Sequence, residues 1–359
     1  MTEAERDECP GWLYIEAEHE YVTERIISKE MKKNTKEQEC PTVSVIMPCY
    51  NDGMYIEEAV DSLRIQSWPE IELVIIDDGS DDSETLETIE KLQFKRKKIL
   101  HTEHVGPAAA RNCGIAAAEG EYILPLDADD TIDAEYISRA VDVIRKKPET
   151  GIVYCHADLF GAASGLWELP DYSLRTELLD NCIFVTALFR KEDWKQAGGF
   201  CEDLKAGMED YDFWLSLMEM GREVYQLPEV YFHYRIKKTS RTTRFQDNYA
   251  NVQETYLRLY QRHRKLYQRY MDLYCTELRR NLIDQLMINR KLQAEKEEQN
   301  EKDVRQIRTD QDEMLQMSLR EDPLVEYVVS IRRLKPRFGR FLEHVLNMKN
   351  AVKKKIGRS

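Results

Sequence analysis

The feature that most constrains the fold of this chain is a series of short apolar runs separated by helix-like stretches. The runs are rich in β-branched residues and predict buried strands at 43–47, 73–76, 98–100 and 122–126. Helical spacing of apolar residues lies between them, at 55–66, 86–92 and 107–118. Strands that alternate with helices predict an α/β domain whose central sheet is mainly parallel.

Acidic residues follow two of these predicted strands. Asp77 and Asp78 end the second run, and the segment Asp127 to Asp130 follows the last one directly. In parallel sheets ligands bind beyond the carboxyl ends of the strands. The two acidic segments are therefore expected to converge on one crevice.

Asp127 and Asp129 are the strongest candidates for chemistry. Two carboxylates one residue apart could hold a divalent cation beside a diphosphate, because Mn²⁺ and Mg²⁺ take hard oxygen ligands. The cation would then stabilise a departing nucleotide diphosphate. The alternative is that Asp129 or Asp130 caps a helix that begins near Ala134.

Three further residues have both a functional and a structural interpretation. Asp78 could accept a hydrogen bond from a nucleobase or belong to an ordinary Asp-Gly turn. Arg111 could contact a nucleotide or form surface ion pairs. Asp210 could remove a proton from an acceptor hydroxyl or stabilise the start of a helix.

The composition and net charge of the chain argue against several classes of protein. The chain has 359 residues and a formal net charge of −14, which argues against general nucleic-acid binding. Its eight cysteines are scattered without a Cys-x-x-Cys pair, which favours reduced thiols. No apolar run is long enough to span a bilayer, and the acidic N-terminal segment does not resemble a secretory signal, so a cytoplasmic location is expected.

The two ends differ from the predicted catalytic region at 42–245. A polar extension occupies 1–41, and a helical region occupies 246–322 with a heptad-like seam from Val252 to Leu273. That seam could pack on the catalytic domain or form a homo-oligomer. The basic amphipathic tail at 323–359 could lie on the inner face of a membrane or pack on its own protein.

Taken together, the ordered motifs resemble the family-2 glycosyltransferases of the GT-A fold. The matching segments are Val43–Asn51, Val74–Ser80, Ala110–Ile115, Leu126–Asp130, Gly198–Phe200 and Glu209–Asp212. Each segment is weak alone, but their order and spacing agree over about residues 42–240. The resemblance implies a GT-A domain, a Rossmann-like nucleotide-binding fold, followed here by an α-helical extension.

The resemblance also implies residue roles. A nucleotide cleft would be lined by Pro48, Tyr50, Asn51, Asp78 and Arg111. Asp127 would lie near the ribose and Asp129 on Mn²⁺ or Mg²⁺, with Asp210 as the base of an inverting displacement. The implied donor is a nucleotide-sugar, with UDP as the nucleotide that the family suggests. The implied acceptor is a glycan or lipid-linked hydroxyl in cell-surface polysaccharide or glycoconjugate synthesis.

The basic stretch after the strand predicted at 230–234 departs from the family pattern. Arg235 could close over the diphosphate, although a solvated basic loop is the alternative. Many relatives carry a histidine two residues after that arginine, and here Lys237 occupies the position. The Gln-x-x-Arg-Trp signature of processive synthases is missing, which favours single additions. A sugar nucleotidyltransferase and a catalytically silent sugar-nucleotide scaffold remain the competing interpretations.

Overall fold

The structure is a computed structural model that describes residues 40–237, 245 and 248–320, with side chains up to 310. The tail at 323–359, almost all of the 1–41 extension, and the part of the basic stretch beyond Lys237 lie outside the described residues. The predicted membrane contact of the tail therefore stays a prediction.

Nine strands of the described residues form one mixed sheet. They are β1 Val43–Cys49, β2 Ile71–Asp77, β3 Lys97–His101, β4 Tyr122–Pro125, β5 Thr131–Ile132, β6 Thr150–Gly161, β7 Gly165–Leu166, β8 Leu188–Arg190 and β9 Glu223–Ile236. Their order is β3-β2-β1-β4-β8-β6-β9-β5, and β7 pairs with β6 outside this path.

Ten helices accompany the sheet in the described part of the chain. They are α1 Gly53–Arg64, α2 Ser83–Lys91, α3 Pro107–Ala117, α4 Tyr136–Lys146, α5 Leu174–Glu177, α6 Lys191–Ala197, α7 Glu209–Glu219, α8 Tyr249–Arg262, α9 Arg264–Arg269 and α10 Met271–Arg320.

The first half of the sheet has the predicted parallel arrangement. β1 lies between β2 and β4 and is parallel to both, and β3 is parallel to β2. Every residue of β2 is buried, which explains the apolar run at 73–76 within it. Helix α1 buries Ile56, Val60 and Leu63 on one face, as the spacing predicts. The α/β prediction is confirmed for this half.

The second half of the sheet is mixed. The three-residue strand β8 is antiparallel to both β4 and β6, whereas the long strand β6 runs parallel to β9. The alternation in the sequence did not reveal β6 or β8, because they fall in a stretch where strands and helices no longer alternate regularly.

Helices α8 and α9 pack on the core of the sheet. Leu259, Leu266 and Tyr267 are buried in the same core as the sheet. The Asp212 carboxylate of α7 accepts hydrogen bonds from Arg262 at 2.6 and 3.1 Å and contacts His263 at 3.0 Å. Burial opposes ionisation of Asp212, but these partners outweigh it and lower its pKa. The seam at 252–273 therefore packs on its own chain, and the predicted homo-oligomer stays untested.

The chain divides into two compact units between Glu277 and Leu278. In the second unit, Leu278, Leu282 and Leu286 are each about half exposed on α10. Among the described residues, no helix combines the length and the apolar character needed to cross a bilayer.

Candidate functional site

Several predicted site residues lie at one edge of the sheet, where β2, β1 and β4 end side by side. Asp77 is paired in register with Cys49, and Ile46 is paired with Pro125. Two backbone hydrogen bonds continue this order past the strand ends: Asp78 N–H donates to the Cys49 carbonyl at 2.8 Å, and Leu126 N–H donates to the Ile46 carbonyl at 3.0 Å. The loops that carry the candidate residues are thus neighbours.

Asn51 links the loops that follow β1 and β2. Its side-chain carbonyl accepts from the N–H groups of Asp81 and Asp82 at 3.1 and 3.2 Å, and its amide donates to the Asp81 carboxylate at 2.6 Å. Asn51 has a φ of +55°, in the left-handed region that asparagine tolerates better than most residues. This asparagine fixes the relative position of the two loops.

Asp78 organises a third loop, which follows β3. One carboxylate oxygen accepts from the Thr102 hydroxyl and the Val105 N–H, both at 2.7 Å, and the other accepts from the Gly106 N–H at 2.9 Å. The residue is 5% exposed. We name residues 50–53, 78–82 and 102–106 together the base-side loops. Contact between Asp78 and a nucleobase stays a prediction, and the observed role is to shape these loops.

Tyr50 and His104 form an aromatic pair on the base-side loops. Their ring centroids lie 4.1 Å apart with an interplanar angle of 38°. Tyr50 is 41% exposed and stands just after the half-buried Pro48. Sequence reasoning missed His104, because nothing in the spacing of the β3 loop indicates that it returns to the end of β1.

The second part of the site is the acidic cluster, which we define as Asp52, Asp127, Asp129 and Asp130. Asp127 and Asp130 enclose a tight turn in which Asp130 N–H donates to the Asp127 carbonyl at 3.1 Å. Burial, together with repulsion from neighbouring carboxylates of the cluster, raises the pKa values of Asp129 and Asp130. The cluster therefore has an excess of negative charge that favours a cation.

Lys237 supplies one positive charge. Its Nζ atom lies 2.7 Å from Asp129 Oδ2 and 2.8 Å from Asp52 Oδ1. Burial alone would lower the pKa of Lys237, but hydrogen bonds to Asp129 and Asp52 outweigh it and raise the pKa.

Arg111 supplies a second positive charge and joins two segments that are distant in sequence. The guanidinium donates to Asp127 Oδ1 at 2.7 Å and to Glu209 Oε1 at 2.9 Å, and its side chain is only 4% exposed. Burial opposes the charged form, yet Asp127 and Glu209 outweigh it and raise the pKa. Arg111 is a buried bridge, and phosphate contact by Arg111 stays a prediction.

Arg235 supports the turn of the acidic cluster from the side. Its backbone N–H donates to Asp130 Oδ1 at 2.8 Å, and its Nε donates to the Asp129 carbonyl at 2.7 Å. The guanidinium also pairs with Glu58 and lies over the Tyr55 and Phe160 rings. The predicted contact with a diphosphate is untested, and the observed contacts hold Asp129 in place.

Asp210 lies in the first turn of α7. The preceding Met208 has a φ of +69°, so the chain enters the helix through a sharp, strained turn. Asp210 is half-buried, and one of its oxygens accepts from the Tyr211 N–H at 2.8 Å. The neighbouring Glu209 is tied through Arg111 to Asp127, and the charge of Asp210 also acts on the Arg111 guanidinium.

A buried carboxyl lies next to α7. Glu177 accepts from the Cys182 N–H at 3.0 Å, and the Tyr211 hydroxyl donates to the Glu177 backbone carbonyl. Burial raises the pKa of Glu177 to about 8, and the charge of Asp210 contributes to that rise. The sequence contained no signal for this residue, since no motif surrounds it.

Comparison with known proteins names the family. The sequence model described as "Glycosyl transferase family 2" matches residues 44–214, a span that contains Asp78, Asp127, Asp129 and Asp210. Residues 44–214 of this chain belong to glycosyl transferase family 2.

Two sequence relatives agree with the family-2 match. An uncharacterized glycosyltransferase of Rickettsia typhi is 31% identical over 223 residues, which are 59% of this chain and 66% of the relative. A chondroitin synthase of Pasteurella multocida is 31% identical over 189 residues, 51% of this chain but 19% of that protein. TarS of S. aureus, solved with UDP-GlcNAc, has a TM-score of 0.49 and 25% identity over 56% of this chain and 60% of that one. The chain spans less than two thirds of the length of these relatives.

The fit of this site to a divalent cation depends on Asp127 and Asp129. Asp127 and Asp129 offer the hard oxygen atoms that Mn²⁺ or Mg²⁺ prefers. However, each carboxylate already forms an ion pair, with Arg111 and Lys237 respectively. Within the described ranges no group of three or more His, Cys, Asp or Glu side chains could hold a metal ion. With Lys237 on Asp129, the side chains present do not fit a resident metal.

Proposed function

We propose that this chain is an inverting glycosyltransferase that moves a sugar from a nucleoside-diphosphate donor to an acceptor hydroxyl. The observation that supports this most directly is the Arg111 bridge. It joins Asp127, at the end of β4, to Glu209, beside the candidate base Asp210. A donor at the acidic cluster would therefore have a carboxylate from a different part of the chain close to its reacting end.

In this mechanism Asp210 accepts the proton of the acceptor hydroxyl as that oxygen attacks the anomeric carbon of the sugar. A new carbon–oxygen bond forms, and the bond between the anomeric carbon and the β-phosphate oxygen breaks. The nucleoside diphosphate leaves with the electron pair, and attack from the opposite face inverts the anomeric centre. The strained turn at Met208 fits a residue that must be held in one orientation.

The proposed donor is a UDP-sugar. The base-side loops would receive the nucleoside, with Tyr50 and His104 as an exposed aromatic surface for the base. The proposed acceptor is a glycan or a lipid-linked saccharide of a surface polysaccharide. The match to a chondroitin synthase, which is named for a polysaccharide product, supports this acceptor class.

The negative charge of the leaving diphosphate must be balanced. Lys237 is paired with Asp129, so a cation that belongs to the chain itself already lies at the acidic cluster.

The test is release of nucleoside diphosphate from a panel of UDP-, GDP- and dTDP-sugars, in the presence of candidate saccharide acceptors. We expect release from one donor, and a drop of roughly 10²- to 10⁴-fold in Asp210→Asn, the size of a general-base contribution. Asp203→Asn, a change at an exposed carboxylate, serves as the matched control.

Nucleotide binding separates the competing functions. Asp210→Asn is expected to bind UDP as wild type does, because the base does not touch the nucleotide in this mechanism. If wild type binds a sugar nucleotide but no acceptor supports release, the silent scaffold is favoured. Pyrophosphate formation from a nucleoside triphosphate and a sugar phosphate would favour the nucleotidyltransferase.

A further inference from the structure

Within the described residues, two cationic side chains form ion pairs with carboxylates of the acidic cluster. Four carboxylates lie close together, and burial raises the pKa values of two of them. Lys237 contacts Asp52 and Asp129, and Arg111 contacts Asp127. A donor diphosphate would bring further negative charge to this location. Binding of the diphosphate therefore requires cationic groups that already lie at the acidic cluster or that bind together with the donor.

Lys237 is held in position by its strand. Two residues before it, Arg235 bonds to Asp130 and to the Asp129 carbonyl at the end of β9. Residues two apart on an extended chain point to the same side, so Lys237 follows Arg235 toward the turn at Asp129. Its Nζ also lies 5.4 Å from the centre of the Tyr55 ring. The ammonium is half-buried among these groups rather than extended into solvent.

A lysine and a divalent cation cannot easily share Asp129. Mg²⁺ binds carboxylate oxygen at about 2.1 Å, and the ammonium nitrogen lies 2.7 Å from Asp129 Oδ2. The two cations would then stand within roughly 5 Å of each other in a partly desolvated site, where like charges repel strongly. Occupation of Asp129 by one cation therefore weakens occupation by the other.

We propose that Lys237 is the resident cation of the donor site and binds the diphosphate of a nucleoside-diphosphate sugar without a divalent metal. This inference rests on the proposed function. An ammonium has three N–H donors, and Asp52 and Asp129 accept two of them. The remaining donor can reach a phosphate oxygen while both ion pairs persist. Lys237 would thus anchor the diphosphate and stabilise its charge as it leaves.

The experiment measures the binding of UDP, GDP and dTDP to the full chain by calorimetry, once in EDTA and once in excess Mn²⁺. For wild type, we expect the Kd of the preferred nucleotide in EDTA to lie within about threefold of its value in Mn²⁺, a difference below the contribution of one charge-assisted hydrogen bond. In Lys237→Met, Kd in EDTA should rise about tenfold or more, since a charge-assisted hydrogen bond is lost.

Direct metal binding gives a second readout. Electron paramagnetic resonance of Mn²⁺ titrated into nucleotide-free protein should show tighter binding to Lys237→Met than to wild type, because Asp129 is then open. Lys237→His should bind Mn²⁺ more tightly still, since imidazole is a metal ligand. Lys195→Met, at an exposed lysine of α6, should match wild type in both measurements.

The outcomes are distinct. Wild-type binding in EDTA that is lost in Lys237→Met supports the proposal. Wild-type binding that appears only with Mn²⁺ overturns the proposal but leaves the proposed transferase function standing. This comparison uses wild-type protein alone, so misfolding of Lys237→Met cannot obscure it. Absence of binding by all three nucleotides under both conditions overturns the inference and the proposed donor class together.

Discussion

Asp78 and Asp129 follow two strands of the same sheet, yet the protein stabilises them by different means. Asp78 accepts hydrogen bonds from two backbone N–H groups and a hydroxyl. Asp129 is paired with a side-chain ammonium in a cluster of other carboxylates. Two of the three donors to Asp78 are backbone N–H groups. Asp129, by contrast, is paired with the ammonium of a flexible lysine side chain.

This difference separates a preformed region from an adaptable one. Backbone donors cannot turn away without unfolding the loop, so the base-side loops keep their shape whether or not a ligand is present. A lysine side chain has several rotatable bonds, so the Lys237 ammonium can adjust to a bound phosphate while it keeps its ion pairs with Asp52 and Asp129. Shape recognition is expected from the first region and charge recognition from the second.

The largest effect is expected where a side-chain cation is fully buried. Arg111→Leu would leave Asp127 and the buried Glu209 without their common partner. The free energy of unfolding should fall by about 3–5 kcal/mol, as when one member of a buried ion pair is removed. Urea denaturation measures this. Arg139→Leu, which breaks an exposed pair within a helix, should cost less than about 1 kcal/mol.

Glu177 is a third kind of buried carboxyl, because among the described residues no cationic side chain forms an ion pair with it. Its pKa is raised from 4.5 to about 8. Between these values the folded state keeps a proton that the unfolded state releases, so this group lowers stability as pH rises. Glu177→Gln removes the effect and should stabilise the protein increasingly from pH 5 to pH 9, by up to about 4 kcal/mol.

Thermal unfolding of wild type and Glu177→Gln at several pH values checks this. The difference in Tm between the two proteins should grow with pH, and all other titrating groups cancel in that difference. A constant difference would mean that Glu177 titrates normally in the folded protein.

The sequence predicted the first half of the fold well, because regular alternation of strands and helices is a local signal. It also indicated that Asp78 and Asp127 would lie at the same edge of the sheet, since parallel strands end at one edge. It did not predict the Arg111–Glu209 bridge, which joins residues 98 positions apart. Nor did it reveal Glu177, whose unusual environment arises only from packing. Pairing between distant charged groups depends on tertiary structure, and no spacing rule encodes it.

Asp78 tests the preformed region directly. Asp78→Ala would leave the Val105 and Gly106 N–H groups without their acceptor and should lower the free energy of unfolding by about 2–3 kcal/mol. Asp78→Asn keeps one acceptor oxygen and should cost less. Glu103→Gln, an exposed change in the same loop, is the control. If Asp78→Ala, Asp78→Asn and Glu103→Gln were equally stable, the hydrogen bonds of Asp78 would not be what stabilises these loops.

The smallest effect is expected at the aromatic pair on the base-side loops. Tyr50→Ala and His104→Ala should each weaken UDP binding about two- to tenfold, the size of one aromatic contact. Tyr50→Phe keeps the ring and should bind as wild type does. Because the surrounding loops are fixed by backbone hydrogen bonds, the loss should be the same in EDTA and in Mn²⁺. A loss that appears only without metal would couple the ring pair to the charge of the acidic cluster, and the two regions would then act as one site.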